Sequence, residues 1–166
     1  MVSMLSNLEP EAETPSQAEA TFRSMLECIG LLRRVMHPYF DAFGISASQW
    51  AVLRVLYVAE ENGLGRLRLV ELGERLLIRP PSVTGVVERL EQDGLVIRTP
   101  SKQDQRAKEV GLTDKGRHLA EDVLQHHGEQ IGTVLDGLET AEQSHLQKTM
   151  NRLSTHLRTI AQKLES

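Results

Sequence analysis

Pro81-Ser82-Val83-Thr84-Gly85-Val86-Val87-Glu88-Arg89-Leu90-Glu91-Gln92-Asp93-Gly94-Leu95-Val96-Ile97-Arg98 is the stretch on which the fold turns. Val83, Val86, Val87 and Leu90 recur at three- and four-residue spacing, which lines one side of a helix with apolar groups. Asp93-Gly94 closes that helix, because glycine enters the left-handed position after a helix without strain. Upstream, Leu69 to Leu77 has the pattern of a short helix. Arg79-Pro80-Pro81-Ser82 reads as a turn, since proline forbids the preceding helix from continuing. Two short helices joined by a tight turn outline a helix-turn-helix. Downstream, Leu95 to Thr99 and Lys108 to Leu112 read as extended runs, with Val110 and Leu112 alternating against polar neighbours. The polar stretch Pro100 to Ala107 joins them as a hairpin, and a helix-turn-helix followed by a hairpin is a winged helix.

Both flanks are helical. Ser46 or Ser48 can cap a helix over Ala47 to Glu60, with Trp50, Leu53, Leu56 and Tyr57 inward. Before it, Phe22, Met25, Ile29, Leu32, Met36, Tyr39 and Phe43 form a seam on a helix spanning Gln17 to Phe43, which Pro38 should kink or end locally. After the hairpin, Thr113 caps a helix running to about Leu138, with Asp114 in its first turn. Leu146, Met150, Leu153, Leu157, Ile160 and Leu164 then give a heptad seam. A middle unit of roughly 70 residues can hardly cover two seams, so a dimer is expected. The expected fold is mainly α with a small β-hairpin wing. Residues 45–113 form the winged helix-turn-helix, 17–44 and 114–166 the dimerisation helices, and 1–16 an acidic, disordered tail.

The chain has 166 residues, of which 40% are apolar, 25% charged and only six aromatic, so aliphatic helix packing must supply the core. The longest run without Asp, Glu, Lys or Arg is the 12 residues Ala42 to Leu53, short of a membrane span. The acidic N-terminus lacks the pattern of a secretory signal, so a cytoplasmic location is expected. Net charge is −4, which taken alone argues against a nucleic-acid partner. The average hides a contrast: Arg66 to Lys108 holds nine basic and six acidic residues, or +3, and the remainder carries −7.

The 81–98 stretch, with Asp104-Gln105-Arg106-Ala107 and Val110-Gly111-Leu112-Thr113-Asp114-Lys115-Gly116, resembles the core of the MarR family of transcriptional regulators. Ile45-Ser46-Ala47-Ser48-Gln49-Trp50-Ala51-Val52-Leu53 lies at the expected distance upstream. The resemblance covers about Phe22 to Leu164. It implies a homodimer with winged helix-turn-helix lobes that binds a pseudo-palindromic operator in double-stranded DNA, commonly as a repressor, and releases it when a small molecule binds.

The residues support the same reading. Ser82, Gly85 and Arg89 lie opposite the valine stripe, the side that would face the major groove. Ser82 and Thr84, near the helix start, can donate to phosphates or base edges. Arg89 can bind guanine bidentately or a phosphate; its plainer reading is a surface ion pair with Glu88 or Glu91. Many relatives carry a basic residue where Gly85 stands. Lys102 and Arg106 sit on a loop able to reach the minor groove, where an inserted arginine is favoured. The resemblance implies that Asp104 orients Arg106.

By the same resemblance, a small aromatic or phenolic anion would bind where the first helix meets the second. There His37, Trp50 and Arg54 offer a donor, a stacking face and a cation. Taken singly, Trp50 reads as core and Arg54 as solvated. His118, Asp122 and His126 recur every four residues on one helix face, with His127 beside them, a stripe that can hold zinc. The zinc-sensing relatives also use ligands on the first two helices, and the places around Trp50 and Ala51 offer none. A solvated face is therefore the better reading, and neither a metal nor a cofactor is expected. Cys28 lies about two turns from the reactive position of peroxide-sensing relatives and reads as a small apolar residue. No phosphate loop and no nucleophile with a base nearby suggests an enzyme. The competing readings are a winged-helix interaction module without DNA binding, and a redox- or metal-responsive regulator.

Overall fold

The computed structural model describes residues 16–76, 80–101 and 108–164. The elements are α1 (Gln17–Asp41), α2 (Ala47–Glu61), β1 (Leu67–Arg68), α3 (Leu69–Leu76), α4 (Pro80–Gln92), β2 (Val96–Pro100), β3 (Lys108–Leu112), α5 (Asp114–Leu135) and α6 (Thr140–Leu164). Three helix starts are fixed by side chains that satisfy otherwise unpaired backbone donors. Ser16 with Glu19 and Ser46 with Gln49 form reciprocal capping boxes at α1 and α2. The Thr113 hydroxyl accepts from Gly116 N at α5.

α2 is the hub, touching α1, α3, α4, α5 and β3. Its Val52, Leu53 and Leu56 meet Leu72 of α3, the α4 stripe Val83, Val87 and Leu90, Val110 of β3, and Ala120 and Val123 of α5, all buried. The sheet has strand order β1-β3-β2, antiparallel throughout, with Leu67 opposite Val110 and Arg98 opposite Val110 on β3's other side. Those three residues share the face turned to the helices. The opposite face carries Gly111, paired with Ile97.

Several boundaries differ from the sequence reading. The two prolines begin α4 rather than forming a separate turn, because a first-turn residue needs no intrahelical N–H bond and proline's fixed φ suits that place. α1 passes over Pro38 and ends at Asp41, with Ala42 N bonding to Pro38 O at 3.1 Å. So close to the C-terminal end, the lost donor disturbs few following turns. α5 stops at Leu135 instead of Leu138, and α2 runs to Glu61. The wing is a three-stranded sheet, since the two-residue β1 was too short to show periodicity. Residues 1–15, 77–79, 102–107 and 165–166 lie outside the described residues.

α6 buries none of its residues in the single chain: Leu146, Met150, Leu157 and Ile160 are all exposed. On α1, Phe22, Ile29 and Leu32 are equally open, whereas Met36 and Tyr39, with Phe43 just beyond the helix, pack on the core.

Candidate nucleic-acid interface

On α4, burial of Val83, Val86, Val87 and Leu90 turns the opposite side outward. Ser82 and Arg89 are exposed there, and Thr84 and Gly85 are partly so. A Cβ at Gly85 would meet nothing within 4 Å, so the helix has a bare window at that point. The expected alternative partners of Arg89 are not the ones it takes. Its Nε donates to the Gly85 carbonyl at 3.1 Å, leaving the two terminal nitrogens without a partner among the described residues.

Glu91 instead takes Arg98. One carboxylate oxygen of Glu91 accepts from Arg98 Nε at 2.8 Å and from Nη2, and the other accepts from the Arg98 backbone N–H at 3.3 Å. Glu88 Oε1 stands 3.8 Å from Nη1. The Arg98 hydrogen bonds hold the Glu91 carboxyl below the usual carboxylate range. Arg98 was not among the expected site residues, although the sequence carried a signal: it shares a face with buried Val96, and a charge on an inward face requires a partner.

The expected wing-tip residues Lys102, Asp104 and Arg106 lie outside the described residues. At the loop's mouth the Ser101 hydroxyl donates to Glu109 Oε1 at 2.6 Å. On the outer face of the sheet, Arg66 lies across Gly111, where a Cβ would come within 2.7 Å of its Cγ, and its Nη1 donates to Thr99 Oγ1 at 3.0 Å. The basic character of the centre is thus unevenly available. Arg68 is paired with Glu71 and Arg98 with Glu91 and Glu88, whereas Arg66, Arg75, Arg89 and Lys108 make no ion pair with a described residue.

The base of α4 is anchored to α5. The Thr113 hydroxyl donates to Gly94 O at 2.7 Å, Thr113 N to Leu95 O at 3.1 Å, and Lys115 Nζ to Asp93 O at 2.8 Å. Gly94 turns at φ 70°. At Gly116 a Cβ would fall 1.9 Å from Leu95 O, so only glycine lets α5 start against this turn.

The three expected effector residues do not converge. Trp50 is buried, Arg54 is exposed on α2, and exposed His37 of α1 makes no hydrogen bond, ion pair or ring contact with either. What surrounds Trp50 is a different group, at the junction of α1, α2 and α5. Its ring centroid lies 5.4 Å from that of His127 and 6.2 Å from that of Phe40. Tyr39 stacks on His127 at 5.8 Å and donates its hydroxyl to Val123 O at 2.7 Å. His127 Nδ1 is buried with no hydrogen-bond partner among the described residues, and burial, then the nearby charge of Arg54, pushes the imidazole pKa down. Among the described residues no cluster is fit to hold a metal. His118 and His126 each set Nδ1 against the carbonyl four residues back, Asp114 O at 2.7 Å and Asp122 O at 3.2 Å. Cys28 is exposed on α1. No described helix is long and apolar enough to cross a membrane.

Two successive short helices, the second with one open face, and a small antiparallel sheet at their side make this a winged helix-turn-helix protein. The sequence model of the MarR family matches residues 45–108. An HTH-type transcriptional regulator of Bacillus subtilis, YkoM, is 30% identical over 113 residues, 68% of this chain and 70% of its own. The repressor YetL of the same organism is 26% identical over 155 residues, 91% of both chains. Among solved structures, the organohalide-sensing regulator RdhR in its 2,4-dichlorophenol-bound form superposes with TM-score 0.80 at 21% identity, covering 93% of this chain and 89% of that one. The chain belongs to the MarR family of transcriptional regulators.

Proposed function

We propose that the chain is a homodimeric repressor that binds a pseudo-palindromic operator in double-stranded DNA and is released from it by a small aromatic or phenolic anion. The observation that carries the reading is the open face of α4, where Ser82, Gly85 and Arg89 lie opposite a buried aliphatic stripe and Thr84 is partly exposed near the helix start. Residues 45–113 are the reading unit, and 17–44 with 114–166 the dimerisation helices. Arg89, with two nitrogens uncommitted, suits a base edge or phosphate. Lys102 and Arg106 on the wing, with Asp104 orienting Arg106, would enter the adjacent minor groove. The exposed apolar faces of α1 and α6 are what a second copy would cover. A DNA-bound role supports a cytoplasmic location.

The effector class follows by analogy with RdhR, whose bound form holds a chlorinated phenol. In this chain the aromatic junction of Tyr39, Phe40, Trp50 and His127, bordered by Arg54, is the better candidate than the original trio with His37.

Fluorescence anisotropy with a duplex from upstream of the protein's own gene tests the reading. Wild type should bind with half-sites about 10 base pairs apart. Arg106→Ala should weaken binding to all sequences and lower the salt slope by about one unit per subunit. Binding indifferent to salt and to Arg106→Ala, or footprints without that spacing, would refute it. Titration with phenolic carboxylates that leaves DNA affinity unchanged would remove the effector assignment.

A further inference from the structure

We propose that Arg98 is a positioning residue for DNA binding: it clamps wing strand β2 to helix α4 through Glu91 and Glu88, fixing the offset between wing and groove-facing helix. The inference rests on the DNA-binding reading above and deepens it, because it assigns a role to a cation that does not itself touch DNA.

The geometry supports the role in three ways. First, the clamp adds a polar tie between two elements that are also linked by the Asp93-Gly94-Leu95 turn, where Gly94 sits at positive φ, and by the packing of Val96 in the same core as the α4 stripe. The buried residue Val96 ties the near end of β2 to α4, and Arg98 extends the tie two residues further toward the distal end of the strand. Second, the contact is multiple. Glu91 receives Nε, Nη2 and the backbone N–H of the same residue, and Glu88 stands 3.8 Å from Nη1 one helical turn away. A planar guanidinium held by two carboxylates on one helix fixes direction as well as distance, which a single-point ammonium cannot do. Third, the pairing is directed inward. The Arg98 side chain is 22% exposed, and Glu91, which makes its hydrogen bonds, is half-buried on the side of α4 away from Ser82 and Arg89, whereas Glu88 is exposed one turn from Gly85. Arg98 is therefore unavailable as a phosphate contact, and its charge is already matched.

The functional need is geometric. A helix in the major groove and a loop in the next minor groove are simultaneous contacts on a stiff duplex, so the second is worth having only if its offset is set before binding. The clamp ends two residues before Pro100, where the wing leaves the sheet, and Ser101 bonded to Glu109 secures the mouth of the loop.

The experiment uses full-length protein and the upstream duplex, with hydroxyl-radical footprinting beside anisotropy. Arg98→Met removes the clamp, and Arg98→Lys keeps the charge while losing the fork. The double swap Glu91→Arg with Arg98→Glu restores an ion pair of opposite sense. If each wing's phosphate contact is lost, a dimer loses two contacts, which at about 0.15 M salt lowers affinity about 30-fold and reduces the salt slope by about two units. Arg98→Met and Arg98→Lys should therefore lose protection at the flanks while keeping it at the half-site centres, and the double swap should recover flank protection. Unchanged flank protection in Arg98→Lys would overturn the inference. So would equal loss at flanks and centres in a variant whose circular dichroism is native, or a double swap no better than the single variants. Absence of binding by wild type would overturn the DNA-binding reading itself, and the positioning role with it.

Discussion

Alanine at Gly116 should destabilise the fold by roughly 2–3 kcal/mol, although alanine is the better helix former. A Cβ at this position would lie 1.9 Å from Leu95 O and 2.9 Å from Leu95 C, both backbone atoms that cannot rotate away. Relief requires α5 and the α4–β2 turn to separate. That movement pulls on the Thr113 hydroxyl bond to Gly94 O at 2.7 Å and on the Thr113 N–H bond to Leu95 O at 3.1 Å. Two hydrogen bonds at about 1 kcal/mol each, plus about 1–2 kcal/mol for a buried carbonyl left without its donor, give roughly 3–4 kcal/mol. The helix preference of alanine over glycine returns about 1 kcal/mol. For a chain of this size the melting temperature should fall by roughly 4–12 °C. Thermal and urea unfolding at one protein concentration read the effect, since dimerisation would make the midpoint depend on concentration. The comparison is Gly128→Ala on the same helix, where a Cβ meets nothing within 4 Å and the change should stabilise by about 0.5–1 kcal/mol. Gly116→Ala at or above wild-type stability, or shifts of the same sign in both variants, would refute the close-approach reasoning.

Acidification should destabilise the junction of α1, α2 and α5. Burial depresses the folded pKa of His127, so its contribution is fully present above the ordinary imidazole value of about 6.5 and is lost as pH falls through the lower folded value. A melting-temperature profile between about pH 7 and 5 should slope less in His127→Phe than in wild type; identical slopes would contradict it. Thr113→Ala, which removes the α5 cap and the tie to Gly94, should cost about 1–2 kcal/mol in urea unfolding, against no measurable change for a cap that was idle. Leu157→Glu, on the exposed apolar face of α6, should shift the protein toward monomer in light scattering and weaken operator binding, with monomer helicity retained. A variant that stays dimeric would exclude that face from the interface.

The winged helix was legible because its signals are local. The valine stripe of α4, Gly94 after its end, and Thr113 before α5 each act within a few residues, and the structure realises all three. β1 was not legible, because two residues cannot display a period and its pairing partner lies about 40 residues away. The prolines were misplaced for a related reason: they exclude a preceding helix and begin a following one equally well, and only the packing of α4 decides which. At the site, the exposure of Ser82 and Arg89 followed from period alone. The Arg98 clamp and the His127 junction did not, since both join side chains brought together by tertiary packing. The family resemblance set His37 beside Trp50 in a candidate pocket. His127, 77 positions further along the chain, occupies that place.

The sheet order also bears on colloidal behaviour. β3 is central and β2 is the longer of the two edge strands, so β2 offers a row of backbone donors and acceptors to which a strand from another molecule can add. Two positions on that row are closed. The N–H of Arg98 is occupied by Glu91, and Pro100, two residues on and facing the same way, has no N–H to give. This edge is thereby denied the continuous hydrogen-bonding rail that fibrillar association requires, and the residues that deny it are an acid on a neighbouring helix and an imino acid at the strand's end.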